Sequence, residues 1–161
     1  SVLDQLVKIE ADYYCTNGAI PMADGGIAAV EGTPMDFRTF SPVGRALRSD
    51  FVQLRQVGGF NHTYVLRKRE RGALELAASM YDPGSGRKME VYTTMPGLHF
   101  FCANKTTPRT GKCGATYDRQ FGLCFETQFF SNSAKCTWFP SPVLRKENSY
   151  RQVTEFRFLV S

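Results

Sequence analysis

Long apolar runs are missing from this chain of 161 residues. No segment approaches the roughly 18 consecutive apolar residues that a membrane-spanning helix requires, so no membrane partner is expected. Histidine is scarce: His62 and His99 stand far apart, with no carboxylate at metal-ligand spacing, so no metal site is expected. The five cysteines (15, 102, 113, 124 and 136) form no C-x-x-C pair and are odd in number. That excludes a disulfide framework and a zinc knuckle, and points to reduced, mostly buried thiols in a cytoplasmic setting. Excess charge is small, 20 lysines and arginines against 15 acidic residues, too little to imply nucleic acid as a partner.

What is present describes an ordinary globular chain of one domain, with 42% apolar and 22% charged residues. Already at Leu6–Ala11 the residues at 7, 9 and 11 are apolar and those at 8, 10 and 12 polar, as in a strand. A chain that starts in mid-sheet, without a basic or apolar leader, reads as a piece of something longer. Leu74, Leu76, Ala78 and Met80 alternate with smaller or polar residues, and Asp82-Pro83-Gly84-Ser85-Gly86 supplies turn chemistry. Met89, Val91 and Thr93 then resume a period of two, which predicts a hairpin. Leu98–Cys102, Leu123–Thr127 and Phe156–Val160 predict further strands, and Tyr64–Leu66 another. Loops are expected over 33–42, 105–114 and 131–142, with a modest helix around Val43–Phe51. Thirteen phenylalanines and seven tyrosines suit pleated, half-buried surfaces, and the pattern reads as an antiparallel all-β sandwich.

Three places offer chemistry. On Gly122–Gln128, Glu126 shares a strand face with Cys124 and Gln128, opposite Leu123, Phe125 and Thr127. A carboxylate among apolar and amide neighbours suits proton abstraction near neutral pH; the plainer alternative is a surface glutamate on a solvated sheet. Asn61 follows Gly58-Gly59-Phe60, where the glycines permit unusual backbone angles and close approach of a ligand, and its amide suits sugar hydroxyls. The plainer alternative there is a turn asparagine. The basic run Arg67–Arg71, with Arg87 and Lys88, is expected to be a solvated turn or edge, the alternative being a phosphate contact.

Taken in order, several stretches resemble the C-terminal half of the galactose mutarotase (aldose 1-epimerase) family. They are Ile9–Asp12, Ile20-Pro21, Val30–Arg38, Gly59–His62, Leu76–Ser79, Met89–Gly97, Gly122–Gln128 and Phe139–Arg145. The resemblance implies a large antiparallel β-sandwich of which residues 1–161 are the C-terminal part, with a hexose bound in an open cleft. It assigns the catalytic base to Glu126 and sugar contacts to Asn61, where the family usually has aspartate, and to His99, where it often has glutamine. The implied reaction interconverts the α and β anomers of an aldohexose by acid–base ring opening, without metal or organic cofactor. The family's general acid lies in the N-terminal half, so this chain alone is expected to be inactive and to need that half as partner. Two alternatives remain: a catalytically silent sugar-binding relative, and an epimerase of hexose 6-phosphates using the Arg67–Arg71 cluster.

Overall fold

The computed structural model describes residues 1–19 and 22–160; Ile20-Pro21 lies outside the described residues. The strands are β1 (Leu6–Ile9), β2 (Ala11–Asn17), β3 (Ala23–Ala29), β4 (Ser41–Pro42), β5 (Asn61–Leu66) and β6 (Glu75–Asp82). They continue with β7 (Arg87–Thr93), β8 (Gly97–Phe101), the short β9 (Arg109–Thr110) and β10 (Thr116–Tyr117), β11 (Cys124–Gln128) and β12 (Thr154–Val160). Two short helices, α1 (Val43–Leu47) and α2 (Val52–Val57), precede β5.

Among the described residues the long strands form two five-stranded sheets, ordered β12-β7-β6-β1-β4 and β11-β8-β5-β2-β3. Every pairing is antiparallel. Period-two alternation turns one face of each sheet inward. The first sheet contributes Val7, Ile9, Ala78 and Val91, and the second Tyr14, Tyr64, Leu98, Phe100 and Phe125, to one continuous buried cluster. Phe60, Phe100 and Phe125 pack in series, with ring centroids 4.8 and 5.4 Å apart, and Phe37 meets Phe60 and Phe100 edge-on. The expected sandwich is therefore the observed fold.

The hairpin expected across residues 74–93 is β6–β7, and Asp82 organises its turn by accepting from the Gly84 amide and the Ser85 hydroxyl. The expected helix at 43–51 forms only to Leu47, and a second helix begins at Val52. Neither helix has a side-chain cap at its start, and they are held by the apolar side chains they bury. β2 and β3 had no clear alternation: β2 carries register shifts in both of its pairings, which break its inward–outward pattern. Cys15, Cys102 and Cys136 are buried, Cys113 and Cys124 exposed, and all five are free.

Candidate active site

The outward face of the second sheet brings the three candidate residues together. In register, Glu126 of β11 lies opposite His99 of β8, and His99 opposite Thr63 of β5, so three side chains stand in a row across adjacent strands. Asn61, two residues before Thr63, shares that face and bonds diagonally to His99. Period two explains the sorting. Phe125, Leu98, Phe100 and Tyr64 take the inward positions, so Glu126, His99 and Thr63 must point out.

Backbone geometry aims β5 at this face. Gly58 closes α2 at φ 75°, and Gly59 follows at φ 144°, a conformation side chains rarely adopt. A Cβ at Gly59 would lie 2.1 Å from Asn104 Oδ1, whose amide Nδ2 donates to the Phe60 carbonyl at 2.7 Å. The chain therefore enters β5 at a position only glycine can occupy. At the other end of the face, a Cβ on Gly97 would press within 3.0 Å of Thr63 Cγ2 and Phe130 Cδ1.

A hydrogen-bond chain runs through the row. His99 Nε2 meets Asn61 Oδ1 at 3.0 Å, and His99 Nδ1 meets Thr63 Oγ1 at 3.0 Å. Thr63 Oγ1 lies 2.7 Å from Ser131 Oγ, and Gln128 Nε2 donates to Thr63 at 3.4 Å. An amide oxygen only accepts, so His99 donates from Nε2 and accepts at Nδ1 from the Thr63 hydroxyl, which accepts from Ser131. Burial lowers the His99 pKa, with the Glu126 charge opposing, and the ring is neutral at physiological pH.

A polar cavity of about 250 Å³ opens beside this chain, lined by Asn17, Asn61, His62, Thr63, His99 and Ser131 among others. Asn61 and His99 line it, whereas Glu126 stands next to His99 on the exposed face, outside that lining. The expected neighbours Cys124 and Gln128 flank Glu126 along its strand, with His99 across it, but the carboxylate is exposed rather than enclosed. A larger cavity of about 750 Å³ lies elsewhere, between Leu66, Met95, Phe129 and Tyr150, and holds none of the three candidate residues. The smaller one carries the convergent polar groups that orient a hydroxylated ligand, and is the better site.

His62 is buried, with Nε2 lacking a partner among the described residues, and its ring meets Tyr14 edge-on at 5.9 Å. Its Nδ1 accepts from the Asn61 backbone amide at 3.2 Å, and burial, with His99 nearby, pushes its pKa down to about 4. No group of three or more His, Cys, Asp or Glu side chains among the described residues could hold a metal ion. In the basic cluster, Arg67 pairs with Glu10 and Asp12, Arg69 with Glu75, and Lys68 donates to the Ala73 and Thr93 carbonyls. None of them lines the polar cavity. Sequence reading missed Thr63 and Ser131, whose part depends on register between strands distant in sequence; the alternation of β8 and β11 was the one signal pointing to that face.

The arrangement is an antiparallel β-sandwich with a polar cavity on the outer face of one sheet. Known proteins share the fold. The family model described as Aldose 1-epimerase matches residues 1–157, and the chain belongs to that family. It is 33% identical to galactose mutarotase of Sus scrofa over all of its own length, and 29% identical to aldose 1-epimerase of Escherichia coli K12 over 98%. It covers 45% and 46% of those two proteins, so the chain spans about half the length of these relatives. Among solved structures, the GalM/aldose epimerase homologue of C. elegans superposes with a TM-score of 0.86 at 22% identity, over 99% of this chain and 47% of that one. Galactose 1-epimerase of Lactobacillus acidophilus NCFM superposes at 0.72 and 23%, over 99% and 45%. These two likenesses show the fold.

Proposed function

We propose that this chain is the C-terminal part of a single mutarotase-like sandwich domain, which interconverts the α and β anomers of an aldohexose such as galactose or glucose. The observation that carries the reading is the convergence of Glu126, His99 and Asn61, from three separate strands, on one face beside a polar cavity. Glu126 removes the proton of the C1 hydroxyl. The C1–O5 bond breaks as a proton donor in the N-terminal half protonates the ring oxygen, and the open aldehyde turns about C1–C2. Reversal of both transfers closes the ring on the opposite face. Asn61 holds a sugar hydroxyl, with His99 set beside it in the same cavity lining, and no cofactor takes part. The free cysteines fit a cytoplasmic setting.

The reading is tested by polarimetry of freshly dissolved α-galactose and α-glucose with the full-length protein. Mutarotation above the buffer rate is expected, and Glu126→Gln should lower it by about 10²–10⁴-fold, the usual contribution of one positioned acid or base. Residues 1–161 alone should leave the buffer rate unchanged. A second reading, a sugar-binding relative without turnover, is favoured by the neutral Asn61 and by the exposure of Glu126. Hexose binding with mutarotation at the buffer rate would establish it.

A further inference from the structure

The polarity of the chain Ser131–Thr63–His99–Asn61 bears on what the cavity can recognise. Asn61 Oδ1 is taken by the His99 Nε2 hydrogen at 3.0 Å. With that hydrogen on Nε2, Nδ1 of the same ring accepts from the Thr63 hydroxyl, whose oxygen accepts from Gln128 and lies 2.7 Å from Ser131 Oγ. Turning the Asn61 amide over would set its amine against a ring N–H unless the ring proton moved to Nδ1 and the Thr63 hydroxyl turned to Ser131. Among the described residues Asn61 Nδ2 has no protein partner, and it stays accessible where Asn61 lines the cavity. Asn17 Nδ2 donates to the Asn61 carbonyl at 3.4 Å and holds the backbone beneath it.

We infer that Asn61, pinned by His99, meets the bound sugar as a hydrogen-bond donor, so that it selects an accepting oxygen at one ring position; this rests on the hexose-binding reading above. A hydroxyl group serves, because its oxygen accepts. A substituent that only accepts serves also, whereas one that offers no acceptor does not. His99 acts here as a positioning residue: its N–H removes the amide oxygen from the ligand's reach.

Two measurements test this on the full-length protein. Two-bond proton–nitrogen correlation spectra at pH 7.5 report the His99 tautomer without any ligand. A proton on Nε2 is expected, and a proton on Nδ1 would overturn the inference, since Nε2 would then take a hydrogen of the Asn61 amine. Equilibrium binding is then compared for the parent hexose and its deoxy and deoxyfluoro analogues at C2, C3, C4 and C6. At one position the fluoro sugar should bind within about threefold of the parent and the deoxy sugar about tenfold more weakly, the scale of one neutral hydrogen bond. Asn61→Asp should reverse that order, because a carboxylate only accepts. His99→Gln should shrink the contrast, because a flexible amide satisfies Asn61 in either orientation. Fluoro and deoxy sugars binding alike at every position would overturn the inference, while absence of all hexose binding would overturn it and the functional reading together. Binding with the expected order but no mutarotation would uphold the donor role and refute the epimerase.

Discussion

Buried histidines set how the molecule responds to acid. His62 is 1% exposed and titrates at about 4 when folded, against an ordinary value of 6.5. Unfolded chains therefore take up a proton below about pH 6.5 that the folded state refuses until about pH 4, so stability falls as pH drops through that window. The full effect is about 3 kcal/mol from this side chain, and His99, also lowered, acts in the same direction. Carboxylates held low by partners, such as Asp36 beside Arg38 and Glu90 beside Lys88, lose their contribution only at lower pH. Urea titrations of the protein at pH 7.5 and 5 should show the loss, and His62→Gln should flatten it. An unchanged pH profile in that variant would assign the acid response to other groups.

At the scale of elements, the strands with strict alternation were legible from their residues. β6, β7, β8, β11 and β12 each place apolar side chains at every second position, and the β6–β7 turn announces itself by Asp-Pro-Gly. β2 and β3 were not, because register shifts and a run of glycine and alanine blur the period. The single helix expected at 43–51 is split: α1 ends at Leu47, and α2 starts at Val52. Of the candidate site, Glu126, His99 and Asn61 were singled out through family resemblance, whereas their standing in a row, with Thr63 in it, follows from cross-strand register. The junction of α2 and β5 sets that register. Gly59→Ala should cost about 2–4 kcal/mol, since the new methyl meets Asn104 in a backbone conformation disfavoured for alanine. Thermal denaturation checks it; a loss below 0.5 kcal/mol would mean that the turn relaxes freely.

For the whole molecule, the decisive feature is where the core stops. On β12, Phe156 lies opposite the buried Val91 of β7, so Phe156, Phe158 and Val160 continue the inward face of the first sheet. Yet Phe158 is 77% and Val160 82% exposed, because β11 is the last strand of the facing sheet and none of the described residues covers them beyond it. A sandwich face left open in this way is an association surface. Relatives about twice as long suit the proposal that an N-terminal half covers this face. Residues 1–161 by themselves should self-associate across a concentration series in sedimentation velocity. Phe158→Lys combined with Val160→Lys should reduce this. A monodisperse monomer at every concentration would show that the face needs no cover.

Local alternation and turn residues determined by themselves that this chain makes antiparallel strands, which side of β11 carries Glu126, and where the β6–β7 hairpin turns. Such information is local, because the strand period of two depends only on neighbours along the chain. Tertiary structure alone decided that His99 stands between Glu126 and Thr63, that its ring pins Asn61, and that β12 ends against open solvent. Those facts depend on which strands lie side by side, and pairing is settled by the packing of the shared core rather than by any one segment.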